Sequence, residues 1–321
     1  MNTMRVLIVI VNYGTPALTL DCVESLRATL EHFPNTELLL VDNGSRDSSL
    51  SQFHAAEIFQ SRRAQIRILP LPKNAGYAAG NNAAIRAALA DDAPPDFVWL
   101  LNSDTQVRAN ALDALIAAMQ TNPRMGIASS RSENADASPQ SSAFRFPTIC
   151  GEWEANVQWR MMTRLFARWV IAPPPPLDAS RADWVSGASM LIRRTVLEQI
   201  GLLDEKFFMY YEDVDFCHRA QNAGWETWYI PASRVVHRVG ASSNVPSAQR
   251  NQYRVPRYWF EARRQYFLKH HGKPYALCAD AAWLVGFGLR RVRQFIQRST
   301  DLDERALWRD FFAYSFLRRG T

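Results

Sequence analysis

Cysteine is scarce in this chain. Cys22, Cys150, Cys217 and Cys278 are the only four in 321 residues, and they form neither metal-ligand spacings nor a paired pattern. A reducing, cytoplasmic compartment is the expectation. Long apolar runs are missing as well. No stretch reaches the roughly 18 uncharged apolar residues a transmembrane helix needs, and the longest candidate, Ala276 to Leu289, is interrupted by Asp280. The apolar run from Val6 to Val11 is too short for a signal-peptide core and leads straight into Asn12-Tyr13-Gly14, so it reads as a strand. Low charge and low complexity are absent too: 47% hydrophobic and 21% charged residues are the proportions of a globular chain, which excludes wholesale disorder.

Charge is present but uneven. The net charge is +6, yet from Arg250 to Thr321 there are 15 Lys or Arg against 6 Asp or Glu, leaving the remainder at −3. Such asymmetry points to a tail that meets an anionic partner, either phospholipid or nucleic acid.

The first half alternates two periodicities. Strand-like runs at Val6–Val11, Leu38–Val41, Ile66–Leu69, Phe97–Leu101 and Gly126–Ser129 enclose helical patterns at Ala17–Leu30, Ser48–Gln60, Tyr77–Leu89 and Ala109–Met119. Pro16 fits the first turn of a helix, where its missing N–H is harmless. This order predicts a mostly parallel sheet with helices on both faces. From Ser130 to Asp183 the pattern weakens, with a polar stretch, a Trp- and Arg-bearing helical pattern at Gly151–Ile171 and a stiff Pro173–Pro176 spacer. A long insertion of that kind reads as a lid or binding loop. Periodicity returns at Trp184–Ile192, Arg194–Gln199, Glu212–Ala223, Thr227–Ile230 and Arg234–His237, and the rest reads as basic, aromatic-rich helices.

Five places carry polar side chains where chemistry is expected. Asn102-Ser103-Asp104 ends the apolar strand Phe97–Leu101, and ligands of open α/β sheets sit beyond such carboxyl ends. A carboxylate there suits a hard divalent cation carrying phosphate oxygens; alternatively Asp104 caps the helix starting near Ala109. Asp42, at the tip of the second strand, is placed to hydrogen-bond a base or ribose. The loop Lys73 to Asn82 lacks both the P-loop and the dinucleotide fingerprint, but Gly76 and Gly80 permit close backbone approach at a helix N-terminus, or a tight turn. Glu212, Asp213 and Asp215 open a helix after the aromatic run from Phe207 to Tyr211. Asp215 is accounted for by pairing with Arg219, whereas a carboxylate among aromatics reads as a general base. His237 ends the last strand, where imidazole is a common ligand for Mn.

In chain order, Val9-Ile10-Val11-Asn12-Tyr13, Val41-Asp42-Asn43-Gly44-Ser45, Asn74-Ala75-Gly76-Tyr77-Ala78-Ala79-Gly80-Asn81-Asn82 and Leu101-Asn102-Ser103-Asp104 are followed by Gly187-Ala188-Ser189-Met190-Leu191-Ile192-Arg193-Arg194, Phe207-Phe208-Met209-Tyr210-Tyr211-Glu212-Asp213-Val214-Asp215 and His237. This set resembles the family 2 glycosyltransferases, in the rhamnosyltransferase-like branch. The resemblance implies an α/β chain with the GT-A nucleotide-diphospho-sugar transferase fold, a Rossmann-like mostly parallel sheet. The catalytic domain would span 1–240, with 130–183 as an insertion or lid-like segment, and 241–321 would be a C-terminal helical extension.

The resemblance further implies an inverting, metal-dependent transfer of a sugar from a dTDP- or UDP-sugar, with dTDP-rhamnose favoured. Mg or Mn would be the cofactor. Asn12, Tyr13 and Asp42 would meet base and ribose, and Asn74 with the loop from Gly76 to Gly80 would line the nucleotide. Asp104, in the D-x-D position, and His237 would hold the metal. Asn102 replaces the first acid of that pattern, keeping an oxygen ligand or ribose contact but removing one charge. Asp213 would deprotonate the acceptor hydroxyl, with Glu212 as the competing candidate.

Arg250, Arg254, Arg257, Arg263, Arg264 and Lys269 interleave with Tyr253, Tyr258, Trp259, Tyr266 and Phe267, and Arg290, Arg291 and Arg293 follow Ala276–Leu289. These patterns predict an anionic membrane surface as partner, and no nucleic acid. The alternative packs the aromatics on the catalytic domain and leaves only the arginines exposed. With the membrane reading, the enzyme is peripheral on the inner face of the plasma membrane, and its acceptor is a polyprenyl-diphosphate-linked glycan. Competing functions are a catalytically degenerate membrane-docked scaffold and a sugar-nucleotide pyrophosphorylase, whose glycine-rich N-terminal signature is absent.

Overall fold

A computed structural model describes residues 4–238, 240, 254–298 and 306–316. Arg250 and Tyr253 of the expected membrane-binding tail lie outside the described residues. The chain divides into two units. One comprises Met1–Ala143, Pro174–Phe208 and Glu212–Asn244; the other comprises Phe144–Pro173, Met209–Tyr211 and Val245–Thr321. The segment 130–183 is divided between them, with Phe144–Pro173 in the second unit and its two ends in the first.

The first half of the chain runs β1 (Val6–Asn12), α1 (Pro16–Ser25), α2 (Arg27–His32), β2 (Thr36–Asp42), α3 (Ser49–Ala55), α4 (Glu57–Ser61), β3 (Ile66–Pro70), α5 (Tyr77–Leu89), β4 (Phe97–Asn102), β5 (Thr105–Val107), α6 (Ala111–Thr121) and β6 (Met125–Glu133). It continues through β7 (Ala143–Phe144), α7 (Ile149–Val157), α8 (Arg160–Leu165), β8 (Ser180–Ala182), β9 (Trp184–Val185), β10 (Ser189–Arg193), α9 (Arg194–Ile200), α10 (Glu212–Asn222), β11 (Glu226–His237), α11 (Arg257–Ile296) and α12 (Leu307–Phe311).

The first unit is built on a nine-stranded sheet ordered β3-β2-β1-β4-β10-β6-β11-β5, with β8 also pairing β11. Runs of Val, Ile and Leu make β1, β2 and β4 apolar on both faces, as strands covered by helices on two sides must be. Strands β3, β2, β1 and β4 are parallel neighbours, but β10 runs antiparallel between β4 and β6. The sheet is mixed rather than simply parallel. Register places Asn12 opposite Asp42 and Val11 opposite Asn102, so the carboxyl ends of β1, β2 and β4 form one row. Strand β6 extends to Glu133 because the polar residues expected to loop out find partners. Ser130 shares hydroxyl hydrogen bonds with Ser189 and Ser233 (both 2.7 Å), and Ser142 Oγ accepts from the Ser132 N–H (2.9 Å).

The second unit is helical. Phe260, Trp283, Phe287 and Phe311 form its core, and Trp283 stacks on Phe311 with ring centroids 3.7 Å apart. Helix α11 is broken at Gly272, which sits at φ 81°. Arg263 is fully buried: its Nε donates to Glu152 Oε2 (2.9 Å) and its Nη1 to Asp280 Oδ1 (2.6 Å). Arg264, also buried, pairs with the other Asp280 oxygen. This corrects both readings of the basic tail at these two positions, since neither arginine is open to lipid or to solvent. A buried guanidinium is tolerated only when paired, and Asp280, which interrupts the apolar run, is the shared counter-ion. Arg254 is likewise bound in a fork to Asp310 (both contacts 2.5 Å).

Candidate active site

All the expected site residues lie in the first unit. Asn12 closes β1 and is wholly buried. Its Nδ2 donates to Asp42 Oδ1 (2.8 Å) and Ser45 Oγ (3.1 Å), while its Oδ1 accepts from Thr19 Oγ1 (2.9 Å). Asp42 is buried too, and its Oδ2 accepts from the Ser45 N–H (3.2 Å). These two side chains spend their polar atoms on tying the β1–α1 turn to the β2 tip. Tyr13, 52% exposed, is the member of the expected trio open to a ligand.

The loop before α5 is braced from within. Asn74 Oδ1 accepts from the Gly76 N–H (2.9 Å) and from Asn43 Nδ2 (3.1 Å). Gly76 has φ 95°, and a Cβ there would lie 2.3 Å from the Phe208 carbonyl oxygen. The Tyr77 N–H donates to that same oxygen at 2.7 Å, so the first N–H of α5 is already used. Gly80 lets α5 approach β1, since a Cβ would meet Val11 Cγ1 at 2.9 Å. Both glycines are required by packing.

Asp104 does not cap a helix: α6 starts at Ala111, and β5 intervenes. Its carboxylate is buried, with Oδ1 3.4 Å from His237 Nε2. Asn102 Nδ2 lies 3.5 Å from the same ring nitrogen. The pairing of Thr105 with His237 in the β5–β11 ladder brings these residues together, and Gln140 Nε2 secures the His237 carbonyl at 2.9 Å. Cys22 lies behind this corner, its thiol pushed up to about 12 chiefly by burial. Among the described residues no group of three or more His, Cys, Asp or Glu is placed to hold a metal ion. The donor set is one carboxylate and one imidazole with an adjacent amide. That set fits Mg or Mn when diphosphate oxygens complete the shell, because such ions commonly take few protein ligands.

Glu212 and Asp213 open α10 with opposite surroundings. Glu212 is buried, and its Oε2 has no hydrogen-bond partner among the described residues. Burial, then the Asp213 charge, raises its carboxyl well above the ordinary range. Asp213 is partly exposed; its Oδ2 accepts from the Gly187 N–H (3.2 Å) and its Oδ1 from the Val214 N–H (2.8 Å). Desolvation lifts it from 3.8 to about 6, with those N–H bonds pulling the other way. Of the two, Glu212 is held further toward its neutral form by burial, and Asp213 is the more accessible carboxyl.

Sequence reasoning did not single out Tyr77 or Gly187. The Tyr77 hydroxyl donates to the Gly187 carbonyl (3.0 Å), and the Gly187 N–H holds Asp213. Burial raises the Tyr77 phenol. The Gly187-Ala188-Ser189 string was a visible signal, but its contact with Asp213 was not.

The chain matches the model for glycosyltransferase like family 2 over residues 4–267, and it belongs to that family. It is 30% identical over 257 residues to the N-acetylglucosaminyl-diphospho-decaprenol L-rhamnosyltransferase of Mycobacterium tuberculosis, an alignment covering 76% of this chain and 74% of that one. It is 29% identical over 214 residues to the low-salt glycan biosynthesis hexosyltransferase Agl10 of Haloferax volcanii, covering 67% and 61%. Among solved structures, a mannosyltransferase from Pyrobaculum calidifontis in complex with GDP-Man and Mn2+ superposes with a TM-score of 0.57 at 15% identity, over 92% of this chain and 76% of that one. GalNAc-T7 with UDP, GalNAc and Mn2+ superposes at 0.54 and 15% identity, over 74% of this chain but only 44% of that one. The fold is that of the GT-A glycosyltransferases.

Proposed function

We propose that this chain is an inverting glycosyltransferase that moves rhamnose from dTDP-rhamnose onto a polyprenyl-diphosphate-linked glycan, with a UDP-sugar as the competing donor, at the inner face of the plasma membrane. The observation that carries this reading is Asp104 Oδ1 lying 3.4 Å from His237 Nε2 at the carboxyl end of β4, with Asp213 held by the Gly187 N–H (3.2 Å) just before β10. The rhamnosyltransferase relative, named for a diphospho-decaprenol substrate, supports the donor and acceptor classes.

Asp213 takes the proton of the acceptor hydroxyl as that oxygen bonds to the anomeric carbon. The bond from that carbon to the diphosphate oxygen breaks on the opposite face, so configuration inverts and dTDP leaves with the bonding pair. Gly187 N–H fixes the orientation of Asp213. A divalent cation held by Asp104 and His237 would supply positive charge to the departing diphosphate. No second carboxylate nucleophile is needed, in contrast to retaining glycosidases.

A panel of nucleotide sugars tested by thermal shift with Mn, with Mg and with chelator identifies the donor. Ligand at 100 times Kd adds about 2.7 kcal/mol of stability. Transfer is then assayed with a polyprenyl-diphosphate N-acetylglucosamine acceptor, product mass and anomeric configuration being read directly. Donor binding without transfer or hydrolysis would instead favour the degenerate scaffold.

A further inference from the structure

The second half of α11, residues 273–296, is apolar on two faces. One face carries Ala276, Ala279, Trp283, Gly286 and Phe287 into the second unit, where a Cβ on Gly286 would meet the Trp153 carbonyl of α7 at 2.7 Å. The opposite face should be polar in a helix of a soluble domain. Instead Val285, Leu289, Val292 and Ile296 recur at spacings of three and four and stand exposed; Phe295 and Ile296 are 86% and 73% open.

A second exposed cluster lies in the same unit. Trp159, Met161 and Leu165 project from the start and length of α8. The Arg293 Nη2 donates to the Gln158 carbonyl (2.9 Å), which ties the end of α11 to the residue before Trp159. The two clusters therefore adjoin. Apolar surface this continuous is a docking face rather than scatter.

Charge identifies what it docks on. From Gln158 to Leu177 there are three arginines and no acid; from Ala281 to Arg298 there are four arginines and no acid. Arg160, Arg164, Arg168, Arg291 and Arg298 are exposed. An apolar strip edged by arginines in segments that carry no acid matches a bilayer interface, where the strip sinks into the acyl boundary and the arginines reach headgroup phosphates. No helix among the described residues is long and apolar enough to cross a membrane, so the helix would lie in the surface plane. We infer that this face of the second unit, α8 with the exposed side of α11, is the surface by which the protein lies on an anionic lipid bilayer. The inference rests on the reading of a membrane-borne acceptor and moves the contact away from Arg263 and Arg264, which are internal.

The test is flotation of the full chain with phosphatidylcholine vesicles and with phosphatidylcholine–phosphatidylglycerol vesicles, at low and high salt. Three variants are compared: Val292→Ser/Phe295→Ser/Ile296→Ser, Arg160→Gln/Arg164→Gln/Arg291→Gln/Arg298→Gln, and the control Arg257→Gln/Lys269→Gln outside the patch. Nucleotide binding by thermal shift reports that each variant is folded. The expected result is binding of the native chain to the anionic vesicles, reduced about fivefold per arginine removed at low salt and abolished by the apolar variant, with the control unchanged. Patch variants that are folded and still float overturn the surface while leaving the membrane reading in place. A native chain that does not float at low salt overturns both. A native dimer that the apolar variant converts to monomer, without vesicle binding, assigns the face to a second copy and also overturns the proposal.

Discussion

Glu212 and Asp213 are consecutive residues, yet they meet different surroundings. Glu212 Oε2 is buried without a hydrogen-bond partner among the described residues, whereas both Asp213 oxygens accept backbone N–H groups 2.8 to 3.2 Å away. The order of proton loss follows from that difference: Asp213 ionises more readily than Glu212.

Asp213→Asn should therefore lower kcat by about two to four orders of magnitude while donor affinity is kept. Glu212→Gln, which copies a protonated carboxyl, should change kcat by less than about tenfold. Steady-state assays of the two variants check this; the reverse pattern would transfer the base role to Glu212. The native rate should rise with pH through about 6, where Asp213 ionises, and level off above it.

Stability should carry the opposite slope. Both carboxyls have raised pKa values in the folded state, so the folded protein holds more protons than the unfolded chain. The Asp213 contribution is complete below its ordinary value of 3.8 and is lost as pH rises through about 6, and that of Glu212 is lost as pH rises through its own raised value. Urea denaturation across that window should show the native chain losing stability relative to Glu212→Gln/Asp213→Asn.

Asp104→Ala should weaken dTDP or UDP binding in Mn by at least about tenfold and remove the difference between Mn and chelator. Calorimetry measures both. Unchanged affinity in Mn would remove Asp104 from the metal role. His237→Ala should act in the same direction with a smaller loss, since one carboxylate remains.

Gly76→Ala places a Cβ against the Phe208 carbonyl at a positive φ. The expected loss exceeds about 1 kcal/mol in urea unfolding, with weakened positioning of the Phe207–Phe208 run as a secondary effect on KM.

Arg263→Met leaves Glu152 and Asp280 facing each other in the second unit with one of their cations gone. Removing one member of such a buried group costs about 3–5 kcal/mol. A separate early transition in thermal melts should report it.

The strand–helix alternation of the first half was legible because its strands are near-continuous Val, Ile and Leu runs and its helices repeat at the helical period. Strand β5 was not: Thr105-Gln106-Val107 is too short to show any period, and its partner β11 lies far along the chain. The direction of β10 was hidden for the same reason, since an apolar run carries no sign of whether its neighbours are parallel. Asp104, His237, Glu212 and Asp213 were recognisable as polar residues at element ends. The burial of Asn12 and Asp42 was not, because their hydrogen bonds close across separate loops. Arg263 and Arg264 looked like surface charge next to aromatics; only the approach of Glu152 and Asp280 makes them internal.

The antiparallel strand β10 lies between β4 and β6, although it follows both by more than fifty residues. As the chain leaves the ribosome N-terminus first, β4 and β6 are complete while the strand that joins them has yet to be made. Through that interval β4 presents an open, apolar sheet edge and β6, whose partners β10 and β11 both follow it, is unpaired, and such strands recruit other chains. Stalled or truncated products ending before Ser189 should therefore aggregate, and the yield of folded protein should depend on how fast translation carries residues 134–193 past this point.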